Sequence, residues 1–102
     1  MGTRLSLQSK LEEILGSRNV YYQPPETIKM EYPAIVYSRT KIRLDKADNA
    51  SYLRTNKYEI IVIDRKPDSP VIESLLLQLP YISHDNHYKA DNLNHDVFTL
   101  YY

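Results

Sequence analysis

The sequence has no cysteine and no tryptophan, a single phenylalanine, and only two glycines, Gly2 and Gly16. Without thiols there are no disulfides, thiolate zinc sites, iron–sulfur clusters or cysteine nucleophile, so the fold rests on packing, or on packing plus partner subunits. Phosphate-cradling loops, dinucleotide fingerprints and nucleophile elbows are built from glycine-rich turns, and two isolated glycines make none of them. No apolar run approaches the roughly 20 residues that span a bilayer as a helix. Thirteen basic residues cancel thirteen acidic ones, so no overall field draws the chain to nucleic acid or anionic lipid. With no hydrophobic signal segment after the start, the expected compartment is the cytoplasm.

What is present suits one domain with one core: 102 residues, 42% hydrophobic and 25% charged. Its oddity is ten tyrosines. Strand propensity in a β-rich domain accounts for most of them, and the surplus points to protein contact, which the amphipathic ring favours. Two short patterns carry no weight. Met1-Gly2-Thr3-Arg4-Leu5-Ser6 matches a myristoylation pattern that arises easily by chance, and Asn49-Ala50-Ser51 is a glycosylation acceptor only in a secreted protein.

The strongest local signal is Tyr52 to Asp64, YLRTNKYEIIVID, whose β-branched run is apolar on both alternating faces from Tyr58 onward. That pattern predicts a central strand covered on both sides, with Ile61 and Ile63 toward helices and Tyr58, Ile60 and Val62 filling the opposite face. Upstream, Thr3 or Ser6 caps a helix with Leu7, Leu11, Ile14 and Leu15 at helical spacing and Gly16 as its stop. Val20 to Gln23 reads as a short strand ended by Pro24-Pro25. Ala34 to Lys41 reads as a strand with Ile35, Tyr37 and Arg39 on one face. Ile42 to Asn56 reads as a long charged hairpin loop, a candidate contact surface.

Downstream, Asp68 or Ser69 caps a second helix, Pro70 or Val71 opens it, and Pro80 ends it after about Gln78. Tyr81 to Lys89 and Leu93 to Tyr102 follow as strands joined by a turn at Ala90-Asp91-Asn92. The predicted fold class is α+β: an antiparallel sheet of four to five strands with two helices on one face, a single domain over 1–102.

His84, His87 and His95, with Asp85, Asp91 and Asp96, have the composition of a divalent metal site. On a regular strand, however, residues three apart point to opposite faces, so His84 and His87 are not expected to share an ion. Solvated or hydrogen-bonded histidines are the plainer reading, and a metal-dependent hydrolase the sharper alternative. No catalytic, cofactor-binding or metal residue is assigned, and no enzyme activity is expected. Arg39, Lys41, Arg43 and Lys46, continued by Arg54 and Lys57 and flanked by Tyr37 and Tyr52, form the one basic stretch. Solvated hairpin charges, a protein contact surface, and an aromatic-and-basic platform for single-stranded nucleic acid all fit it. The candidate interface residues are Arg39, Lys41, Arg43, Lys46, Tyr52, Arg54, and the terminal Tyr101 and Tyr102.

Four segments carry a family resemblance: Val20 to Pro25 (VYYQPP), Met30 to Tyr37 (MEYPAIVY), Tyr58 to Asp64 (YEIIVID) and Asp91 to Tyr101 (DNLNHDVFTLY). Together they resemble small phage and prophage tail-assembly proteins of the tail terminator, or tail completion, group. The resemblance implies a structural virion protein that forms a ring, commonly a hexamer, at the head-proximal end of the tail. Its implied partners are itself, the major tail tube protein, and the head connector or stopper protein, with no membrane, specific nucleic acid or cofactor. It implies assembly in the bacterial cytoplasm and residence in the virion tail. The alternatives are a head-proximal connector or stopper subunit and a small nucleic-acid-binding regulator.

Overall fold

The computed structural model describes residues 3–25, 27–46 and 52–102, with side-chain surroundings for all of these except 43–46 and 52–54. The elements in order are helix α1 (Arg4–Leu15), strands β1 (Val20–Tyr22), β2 (Ala34–Lys46) and β3 (Tyr52–Asp64), helix α2 (Pro70–Gln78), and strands β4 (Ile82–Ala90) and β5 (Leu93–Tyr101). This is an α+β fold. The five strands form one sheet in the order β1-β2-β3-β5-β4, which places the apolar run of β3 at its centre.

Local chemistry sets the boundaries. Thr3 is extended, and its Oγ1 accepts the Ser6 N–H at 3.1 Å, so the first orphan donors of α1 find a partner. At the other end Gly16 adopts φ 79°, a left-handed conformation that costs a side chain energy and glycine almost none, and its N–H reaches Glu12 O at 2.9 Å. Ser69 caps α2 by accepting the Val71 N–H at 3.4 Å, and Glu73 lies in the first turn near the positive end of the helix dipole. The helix stops before Pro80, because the residue preceding a proline is pushed toward extended backbone, as Leu79 is at φ −110°, ψ 121°. Asp91 and Asn92, at φ 53° and 62°, give the β4–β5 hairpin its two-residue turn.

The sheet departs from the expected all-antiparallel pairing in one place. β1 runs parallel to β2, with Val20 opposite Ile35 and Tyr22 opposite Tyr37, while all other neighbours are antiparallel. The eleven residues between β1 and β2, 23–33, exceed what a tight hairpin needs and allow the chain to return to the same end of the sheet.

Register shows which side chains meet. Tyr37, Ile60, Phe98 and His84 form one cross-strand row; Ile35, Val62, Asp96 and His87 form the next. A single buried cluster joins Ile35, Tyr37, Tyr58, Ile60, Val62, Phe98 and Leu100 of the sheet to Leu7 and Leu11 of α1 and Val71 and Leu75 of α2. The faces of β3 are therefore the reverse of the expectation: Tyr58, Ile60 and Val62 meet the helices. Ile63 is buried outside that cluster, Ile61 is half-buried and Glu59 is exposed, so the second face is only partly covered. The apolar run extends over both faces, and alternation within it cannot tell which one the helices choose.

Tyrosine fills one edge of this core. Tyr22 and Tyr37 have ring centroids 4.9 Å apart, Tyr37 and Tyr58 6.0 Å, and the Arg4 guanidinium lies 4.6 Å above the Tyr22 ring. The Tyr37 hydroxyl donates to Gln8 Oε1, while Gln8 Nε2 donates to Val20 O at 3.1 Å and Glu12 Oε2 at 2.9 Å. Burial pushes the Tyr37 hydroxyl above its usual 10.0, against a downward pull from the hydrogen bond and charge of Arg4. The unfolded chain thus loses this proton first: the contribution is complete below about pH 10 and fades as pH rises toward the raised folded value. Denaturant unfolding across this range is expected to lose stability more steeply in the native protein than in Tyr37→Phe. Parallel pH curves for the two would refute it.

Candidate functional site

The long charged segment Ile42 to Asn56 is not the loop that its composition suggests. β2 and β3 continue through it as paired strands, with Ile42 opposite Asn56, Arg43 opposite Thr55 and Lys46 opposite Tyr52; positions 47–51 lie outside the described residues. β5 meets β3 only from Lys57 to Asp64, apart from a backbone exchange between Asn56 and Tyr102. Beyond that point the hairpin is paired only to itself among the described residues. It forms a two-stranded arm on a molecule 52 Å long and 29 Å wide. The residues of this ribbon are mostly charged and polar without sustained apolar alternation, so periodicity does not mark them as strands.

The candidate interface residues distribute along this arm and its base. Arg39 and Lys41 are exposed and flank an irregularity in the β2–β3 ladder at Thr40, whose Oγ1 donates to Lys57 O at 3.2 Å. Arg43, Lys46, Tyr52 and Arg54 occupy ladder positions in the arm itself. Lys41, Lys57 and Tyr101 are successive partners across three strands, so part of the basic stretch and part of the chain end come together at the arm's base. Asn56 is also there. It is 7% exposed, and its Oδ1 has no hydrogen-bond partner among the described residues.

The candidate interface residues Tyr101 and Tyr102 lie at the end of an internal strand. β5 lies between β3 and β4, Tyr101 donates its N–H to Tyr81 O at 3.0 Å, and Tyr102 donates its own to Asn56 O at 3.0 Å. Tyr102 packs on the core and shares a 3.0 Å hydrogen bond between its hydroxyl and Ser6 Oγ, whereas the Tyr101 side chain is exposed. A final strand becomes internal when the preceding one folds back outside it, and the two-residue turn between β4 and β5 does this. Among the described residues the open edges are β4 and the part of β2 beyond Tyr37.

The histidine reading also needs correction. A shift in the β4–β5 register between His84 and Asn86 places His84 opposite Phe98 and His87 opposite Asp96, so the two histidines share a face. Both meet one buried oxygen: Asp96 Oδ1 lies 3.0 Å from His84 Nε2 and 2.8 Å from His87 Nδ1. A carboxylate only accepts, so each of these ring nitrogens carries a hydrogen and donates it. His95 lies on the other face, stacked on Tyr88 at 4.7 Å, with Nδ1 3.1 Å from Leu93 O. Among the described residues no three histidine, aspartate or glutamate side chains are arranged to hold a metal ion. The bulge residues are themselves polar: Asp85 accepts from Ser83 and Thr99, and Asn86 Oδ1 accepts the His87 N–H. Such local side-chain bonding was the one sequence signal that could have marked the bulge.

Compared with known proteins, the chain matches no family model and no curated sequence.

Proposed function

We propose that the protein is a structural subunit of phage tail assembly, which caps the tail tube as a ring and joins it to the head connector. The observation that carries this reading is the β2–β3 arm. A hairpin continued past its sheet is marginal by itself, and packing against a neighbouring molecule would stabilise it. The arm bears Arg43, Lys46 and Arg54, and at its base Lys41 and Tyr101 flank Lys57 in one row across three strands. That arrangement suits a polar protein contact with aromatic anchors. The resemblance of the four sequence segments supplies the identity of the neighbours: further copies of the subunit, the major tail tube protein, and the head connector or stopper.

The test is assembly. With Arg43 and Lys46 both changed to glutamate, tails are expected to fail to terminate or to join heads, while circular dichroism of the isolated subunit stays native. Normal virion yield from this variant would remove the arm from the contact. Deleting Tyr101 and Tyr102 is a poor companion test, because Tyr102 bonds to both Asn56 and Ser6 and its loss would disturb the fold. The basic positions also leave a nucleic-acid regulator as the second reading, and steep salt dependence of binding to a random oligonucleotide would favour it.

A further inference from the structure

We infer that the subunits join edge to edge, the outer side of β4 in one copy pairing with the free outer side of β2 in the next. This rests on the self-assembly reading above and names the contact through which it would occur. β1 covers β2 only at Ile35, Val36 and Tyr37, with Gln23 donating its N–H to Tyr37 O at 2.9 Å. From Ser38 to Lys46, nine residues of β2 have no strand on their outer side among the described residues. At the opposite edge β4 is also nine residues long, pairs only with β5, and is exposed from Ser83 to Ala90.

Direction makes these two edges complementary. β2 is antiparallel to β3, β3 to β5 and β5 to β4, so β2 and β4 run in opposite senses. Copies placed side by side with the same orientation would therefore meet antiparallel, the more stable pairing, with every helix-bearing face on the same side. An unrelated peptide would need only one such edge. Here a single chain carries two, equal in length and opposite in direction, which fits a second copy as the occupant, head to tail. The free part of β2 lies further along the strand axis than β4, and strands tilted to the ring axis accommodate such a stagger, as in closed barrels. Each edge also carries a ladder irregularity, at Arg39/Lys41 and at His84/Asn86. Bulges increase local twist, which opposes flat, unlimited stacking and favours addition that closes on itself.

The absence of cysteine makes a clean test possible. Lys41→Cys with Lys89→Cys places one thiol at each exposed edge and none elsewhere. Treated with a short bismaleimide under conditions where light scattering detects oligomers, this variant is expected to give a covalent ladder of multimers. An equal mixture of the two single variants should stop at dimers that contain one of each. Replacing Lys89→Cys by Leu77→Cys, on the exposed side of α2, should abolish the ladder. Oligomers that form without edge-to-edge cross-links would overturn this contact and leave the ring reading standing. A subunit that stays monomeric at high concentration and on purified tail tubes would overturn both.

Discussion

Replacing Ile60 with alanine is expected to lower the free energy of unfolding by about 2–5 kcal/mol, the range found for truncating a fully buried aliphatic side chain. Ile60 has no exposed surface and lies between Tyr37 and Phe98 in adjacent strands, in the cluster that also holds Leu7, Leu11, Val71 and Leu75 of the two helices. The lost methylenes would leave a cavity within the cluster that three strands share with residues of the helices, and a sheet centre has little freedom to collapse into it. Ile61, its neighbour in sequence, points to the other face and is half-buried, so Ile61→Ala should cost much less. Urea unfolding of both variants checks the assignment. A shift below about 0.5 kcal/mol for Ile60→Ala, or a larger loss at Ile61 than at Ile60, would show that the core lies on the wrong face of β3.

The contrast between these neighbours also marks how much the sequence revealed. Both helices, the stop at Gly16, the central position of Tyr52–Asp64 and the terminal hairpin were legible, and each cap was narrowed to two residues, of which the structure takes Thr3 over Ser6 and Ser69 over Asp68, because each depends on chemistry within a few residues. Three things were not. The helix-facing side of β3 depends on which strands and helices arrive above it, and an apolar run on both faces is silent about that. The arm was hidden because its sequence carries no sustained hydrophobic alternation, so charge and asparagine read as loop. The convergence of His84 and His87 on Asp96 requires one extra residue in β4, and a period of two breaks wherever a bulge is inserted. In the candidate interface the residue types were legible, but not their geometry: the Lys41, Lys57 and Tyr101 row unites positions sixty apart in the chain through register alone.

That bulge leads to the second large effect. β4 has only Ile82 partly buried, and its other residues are exposed, so little hydrophobic burial holds this strand to the sheet. Apart from the backbone ladder, the packing of Ile82 on the core and contacts with α2, it is attached by side-chain contacts to β5: His84 and His87 on Asp96, Asp85 on Thr99, Tyr88 stacked on His95, and the edge of His84 against Phe98 at 5.1 Å. Asp96 carries two of these and is 5% exposed. Asp96→Ala removes the acceptor of both imidazoles and is expected to destabilise the protein by about 1–3 kcal/mol, the loss being limited because the two half-exposed rings can turn to water. Asp96→Asn keeps an oxygen in place and removes only the charge, so it should cost less. Hydrogen exchange supplies the discriminating measurement. In Asp96→Ala the amides of β4 should lose protection well before those of β3, since the edge strand opens locally when its side-chain anchors go. Uniform loss of protection across the sheet would mean that Asp96 supports the whole core, and unchanged protection in β4 would mean that the ladder alone holds the edge.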